Sequence, residues 1–285
     1  MESQMRHITC ILRERQLRHY GHVEHFSKGD LARKILIVGD PSGWTRPRGH
    51  PHNIWLWQIE GHFRRGNNLL KVPLEVGLME LASSGFECHG IIRLLESFIG
   101  TSKVLVVMEL FEPCINLLDF INSQKRPLAE NQAKRVFLQV VLAAHHCQKH
   151  GVFHGDIKPE NILIQVTTGQ VKLADFASGN IMHGEIYTSF SGTLIYAPPE
   201  WFLFQHYMAE HATVWSLGVT LYEMLCGCMP FMWVEAVVEA QVTFTQELSI
   251  ECQDLIKNCL AFNPLNRPTV KEILKHSWLY LKLSE

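Results

Sequence analysis

The stretch FHGDIKPENIL, Phe153 to Leu163, sets a carboxylate, an ammonium and an amide at fixed spacing: Asp156, Lys158 two residues on, and Asn161 five residues on. Its glycine and proline make it an irregular loop rather than a helix or strand. Fourteen residues after Asn161 comes Asp175, in ADFASG at the end of a short apolar run. A solvated loop on an unrelated fold can hold Asp, Lys and Asn by chance. D-x-K-P-E-N followed by D-F at this distance is far more specific. The set suits phosphoryl transfer, which needs a positioned nucleophile and charges on the phosphates but little covalent help. In that chemistry Asp156 orients a hydroxyl and accepts its proton. Lys158 neutralises the transferring group, while Asn161 and Asp175 ligate magnesium.

Working outward, the pattern is clear from about Val72. PLEVGLMELASS has helical spacing behind Pro73. IIRLLESFIG and KVLVVMEL read as two strands joined at Gly100–Ser102, and NLLDFINSQ as a short helix. LAENQAKRVFLQVVLAAHHCQKHG predicts a long amphipathic helix capped by Gly151. ILIQV and VKLAD predict a hairpin, and HATVWSLGVTLYEMLCG, apolar almost all round, a buried helix. IECQDLIKNCL and TVKEILKHSWL predict two further helices. Strands followed by a mostly helical body imply an α+β, two-lobed chain.

The 285 residues are 47% apolar and 19% charged, ordinary values for a globular protein. The net charge of −2 hides an asymmetry. Residues 1–70 hold 11 Lys/Arg against 6 Asp/Glu, and the rest hold 15 against 22, so a basic head precedes an acidic body. With no long apolar run, neither secretion nor membrane insertion is expected. A reducing, cytoplasmic or nuclear setting follows, with Cys147, Cys226, Cys252 and Cys259 as small core hydrophobes. Cys226 and Cys228 lack a second pair at zinc spacing.

Further motifs agree with the loop. SGTLIYAPPE, Ser191–Glu200, resembles the end of a kinase activation segment, in which Thr193 bonds Asp156 and Lys158. Glu200 then needs a buried arginine, and Arg267 of NPLNRP is its match. Residues 71–285 resemble a serine/threonine protein kinase of the Pim family. KVPLEVGLM, GIIRLLESF, IYTSFSGTLIYAPPEW, VWSLGVTLYEMLCG and ECQDLIKNCLAFNPLNRPT carry the likeness. Most kinases have Asp two residues before the Trp of WSLG; here it is Thr213, and the Pim family departs there too. The resemblance implies a partial small lobe over 71–110 and a mainly helical large lobe over 111–285. It implies ATP and Mg2+ as cofactors, Ser/Thr protein substrates in a basic context, and a monomer. Glu75 resembles the helix glutamate that pairs with the ATP lysine, and Glu109 and Phe111 fall at the adenine hinge, where Phe111 restores an N–H donor that a proline lacks. Two departures stand out: Gly155 replaces the arginine of H-R-D, and Ala177 the glycine of D-F-G.

The head lacks what such a lobe needs. It has no G-x-G-x-x-G and no V-A-I-K; alignment puts Trp57 at the lysine position, Lys71 suits only a local helix pair with Glu75, and Lys34 lies on a strand-like run with no glycine loop before it. RERQLRHYG suggests a basic helix and KILIV a strand, in a segment otherwise unlike a strand-rich lobe. R-Q-L-R-x-Y-G-H-V, D-P-x-G-W and R-P-R-G-H-P-H…W-L-W-Q-I-E resemble the tail of a LINE-type reverse transcriptase, so the small lobe reads as truncated or replaced, by natural fusion or by an exon-joining error. His19, His22 and His25 read as solvated rather than metal-bound, and the basic face is too weakly charged to predict nucleic-acid binding. A pseudokinase or binding module is the alternative to an active kinase.

Overall fold

In the computed structural model the described residues are 23–24, 33–39, 62–65, 68–71, 73–84, 89–99, 103–124 and 126–280. They fall into two compact units, Met1–Ser83 with Ile92–Glu112, and Ser84–Ile91 with Pro113–Glu285.

The first unit is built on an antiparallel sheet of order β1-β2-β6-β5: β1 (Val23–Glu24), β2 (Arg33–Gly39), β6 (Lys103–Glu109) and β5 (Leu94–Ile99). β2 pairs with β6 along its whole length, with Lys34 opposite Met108 and Arg33 opposite Glu109. Without a partner on that side, β6 would present a row of bare N–H and C=O groups, and the Ile/Leu/Val run of β2 supplies one. The strand expected at KILIV is therefore present, and it joins the sheet beside β6. A separate hairpin joins β3 (His62–Arg65) to β4 (Asn68–Lys71). Helix α1 (Leu74–Ala82) buries Val76, Leu78, Met79 and Ala82 and packs on β5. Lys71 ends a strand and α1 begins only at Leu74, so Lys71 does not lie on the helix that carries Glu75. The basic helix, Trp57, the three head histidines, the D-P-x-G-W turn and the Gly100–Ser102 turn lie outside the described residues.

The second unit is mainly helical. Its axis is α5 (Ala209–Cys226), whose Val214, Trp215, Leu217, Leu221 and Met224 have no measurable exposure. Against it pack α3 (Glu130–Lys149) and α7 (Ile250–Cys259). Burying their apolar stripes on α5 is what stabilises helices of this length. The remaining helices are α2 (Leu117–Ser123), α4 (Pro199–Phe204), α6 (Val234–Glu239) and α8 (Val270–Ile273). Asn116 caps α2 by accepting from the Asp119 amide, and Gly151 follows α3 at φ +69°. Cys147, Cys226, Cys252 and Cys259 are buried and outside any disulfide, as read from the sequence.

One predicted helix is broken. TVKEILKHSWL is helical only over Val270–Ile273, and Ser277–Leu279 form a separate 3-10 turn. Tertiary bonds win there over helical period. His276 reaches Asp254 (3.0 Å), and the Trp278 indole donates to Glu130 Oε2 (2.8 Å). Glu130 also accepts from the Ser249 amide (2.6 Å) and hydroxyl (2.7 Å), so one carboxylate knots the starts of α3 and α7 to the last turn.

Short strands set the loops. β9 (Ile162–Ile164) lies between β10 (Val171–Leu173) and β7 (Ile115–Asn116). β8 (Val152–Phe153) pairs with β11 (Asn180–Ile181), and β12 (Ile186–Tyr187) with β13 (Tyr207–Met208).

Candidate active site

β8 delivers the chain into the loop His154–Lys158, and a 3-10 turn over Pro159–Asn161 returns it to β9. Within this loop Asn161 Nδ2 donates to the Asp156 carbonyl (2.8 Å) and to Asp156 Oδ2 (2.9 Å). Lys158 Nζ lies 2.8 Å from Asp156 Oδ2 and donates to Thr193 Oγ1 at 2.5 Å. The Thr193 amide donates to Asp156 Oδ1 (2.8 Å). Asp156, Lys158, Asn161 and Thr193 thus form one hydrogen-bonded group.

Burial alone would raise the Asp156 pKa. The Lys158 ammonium and the hydrogen bonds from Lys158 and Thr193 outweigh it and hold the carboxyl below its ordinary value. Asp156 is therefore an anion at neutral pH, fixed by donors on both oxygens, as a base for a nearby hydroxyl must be.

Asp175 is brought to the same place by backbone. β10 pairs with β9, and the Ala174 amide donates to the Asn161 carbonyl (2.8 Å), setting Asp175 one residue from that contact. Asp175 has φ +69°, a left-handed conformation costly for a residue with a Cβ, and its Oδ1 accepts from the Ala177 amide (3.2 Å). The strain of this turn sits on Asp175; Ala177 is not in the left-handed region. His154, buried, bridges the two segments: Nε2 meets the Ala174 carbonyl (3.1 Å) and Nδ1 the Asp156 amide (3.3 Å). Burial lowers its pKa and keeps it neutral, against the pull of Asp156 and Asp175.

Among the described residues no group of three or more His, Cys, Asp or Glu could cage a metal by itself. Magnesium does not need one, because it is held through one or two protein oxygens, waters and substrate phosphates. The donor chemistry of Asn161 and Asp175 fits that role: one carboxylate and one amide whose nitrogen end is already committed to Asp156.

Glu75, Glu109 and Phe111 belong to the other unit. Glu75 is in the first turn of α1. Glu109 ends β6 and its Oε1 accepts from the Arg93 amide (2.8 Å). Phe111 is buried.

Residues 64–279 match the protein kinase domain. The chain belongs to the protein kinase family. It is 41% identical over 213 residues to serine/threonine-protein kinase pim-2 of Danio rerio, covering 73% of this chain and 68% of that one. It is 38% identical to serine/threonine-protein kinase prk-2 of Caenorhabditis elegans over the same share, and 36% identical over 222 residues to the carbon catabolite-derepressing protein kinase of Secale cereale. The chain spans 47% and 43% of the length of these last two.

As a kinase of the serine/threonine group, the chain holds its segment from Asp175 to Glu200 in a particular way. Phe153, Tyr187, Phe190, Trp201 and Tyr207 pack ring against ring, some stacked and some edge-on, with centroids 5.5 to 6.1 Å apart. Tyr207 also donates to the Ser189 carbonyl (3.0 Å). Thr213 spends its hydroxyl on the Ala209 carbonyl one turn back (2.7 Å). Glu160, Glu223 and Tyr196 form a group the sequence reading left unassigned. Tyr196 donates to Glu223 Oε2 (2.5 Å), and burial followed by the Glu223 charge drives the tyrosine pKa far up. Burial also raises Glu223, with Glu160 adding to it. Glu160 Oε2 is buried with no hydrogen-bond partner. Only Glu160 had a signal, its place in KPEN.

Proposed function

We propose that this chain is a Pim-type serine/threonine kinase that transfers the γ-phosphate of ATP to Ser or Thr of protein substrates. The hydrogen-bonded group of Asp156, Lys158, Asn161 and Thr193 supports this reading, because a carboxylate, an ammonium and an amide at this spacing suit a base, a cation and a metal ligand. Asp156 takes the proton of the substrate hydroxyl, and Lys158 offers its charge to the phosphoryl group in transit. Asn161 and Asp175 would hold magnesium, which would supply positive charge against the phosphates. The orphaned Glu160 oxygen and the raised Glu223 favour a substrate with a basic side chain near the acceptor, since a guanidinium would satisfy both carboxylates.

The absence of a glycine loop and of V-A-I-K from residues 1–70 favours weak turnover, and in the limit a pseudokinase. Our reading of that segment is a LINE-type reverse-transcriptase tail joined to a kinase body. The test is phosphate transfer from labelled ATP to a basic Ser/Thr peptide, with Asp156→Ala as the blank. Turnover above the blank supports a kinase; none at any peptide concentration supports the pseudokinase.

A further inference from the structure

We infer that Gly155 and Ser178 are positioning residues: they close the two ends of the Asp175–Glu200 segment onto the loop that carries Asp156. The inference relies on the proposed function only in taking Asp156 as the base.

Gly155 has φ +79° and is packed on both sides by backbone. A Cβ at Gly155 would lie 2.3 Å from the Ser178 carbonyl oxygen, at the start of the segment. A Cβ at Gly192, near its end, would lie 2.3 Å from the Gly155 carbonyl oxygen. Distances this short leave no room for a side chain, so the two ends meet across one bare peptide. Ser178 then joins them directly, its Oγ donating to the Ser191 carbonyl (3.0 Å) across 13 residues. The residue after Gly192 is Thr193, whose amide and hydroxyl hold Asp156 and Lys158. Glycine at position 155 therefore does more than leave out an arginine: the site is built so that no side chain can enter. What a charged residue could do through a bound phosphate is done here by close backbone contact, and Ser178 sets how firmly Thr193 is presented to the base.

The test uses the full chain and reads amide hydrogen exchange at Gly192 and Thr193, with the α5 amides as a remote reference. Ser178→Ala should speed exchange at Thr193 about three- to tenfold, the worth of one ordinary hydrogen bond. Ser178→Thr, which keeps the hydroxyl, should restore it, and Gly155→Ala should speed it at least as much. The α5 amides should not change. Unaltered Thr193 exchange in both Ser178→Ala and Gly155→Ala would overturn the inference. So would equal acceleration in α5, which marks general destabilisation. If Thr193 responds as described while the unaltered chain transfers no phosphate, the proposed activity fails and the positioning role stands.

Discussion

Arg267 Nη1 and Nη2 donate to the two carboxylate oxygens of Glu200 at 2.8 and 2.7 Å, across 67 residues of chain. The other guanidinium donors reach the Ala261, His211 and Phe262 carbonyls, and the cation lies 4.9 Å from the Trp215 ring centre. Every donor is used, which is the condition under which a buried pair is tolerated. Arg267→Ala should therefore cost about 3–5 kcal/mol, since it strands the Glu200 charge. Urea titration of the unaltered chain and the variant reads this, and unchanged midpoints would remove the pair from the stability of the second unit.

Magnesium nucleotide should raise the thermal midpoint of the chain, as any ligand of the native state does. Asp175→Asn should abolish the magnesium-dependent part of that rise by removing the carboxylate. A rise that survives the substitution in full would place the metal elsewhere.

Glu223→Gln separates stability from substrate affinity. The folded pKa of Glu223 is raised, by burial first and by Glu160 next. Its charge therefore opposes folding: stability is greatest below the unfolded value and is lost as pH climbs from about 4.3 through the folded pKa. The amide variant should melt higher than the unaltered chain at pH 7 and equally at pH 4. Its KM for a basic peptide should rise while kcat holds. A KM that stays put would show that Glu223 meets no substrate cation.

Thr213→Asp should destabilise the chain by about 3 kcal/mol at neutral pH, because a new buried charge meets no cation. Thr213 lines the same small pocket as Asp156, and Gly155 offers no positive side chain there. Burial would raise the new carboxyl, so the loss should shrink as pH falls. Melting curves at pH 5 and pH 8 check it.

The core of the site was legible because its residues lie in one short motif. Asp156, Lys158 and Asn161 are fixed by local spacing, and Asp175 by the hairpin after them. Arg267 and Glu200 were legible as a pair, since neither charge could be buried alone. Glu160 with Glu223, and Ser178 with Ser191, were not: each contact exists only once distant segments are folded together, and neither leaves a period or spacing in the chain. The split of TVKEILKHSWL has the same origin, as Asp254 and Glu130 redirect a stretch whose own pattern is helical. The place of β2 beside β6 followed from backbone pairing rather than from any motif in the head.

The Glu130 knot bears on how the chain comes to be folded. Trp278 lies 148 residues beyond the carboxylate it caps, and Ser249 lies 119 residues beyond it. Contacts of such separation carry a closure entropy that must be met before they return anything, and they slow folding. During synthesis, which proceeds from the N-terminus, α3 is complete long before either partner exists. The apolar side of α3 is then left waiting for α5, with its first turn untied until Ser249 and then Trp278 arrive. The large helical unit should accordingly mature late, and nascent chains arrested before Trp278 should be cut by protease within α3 far faster than the finished protein.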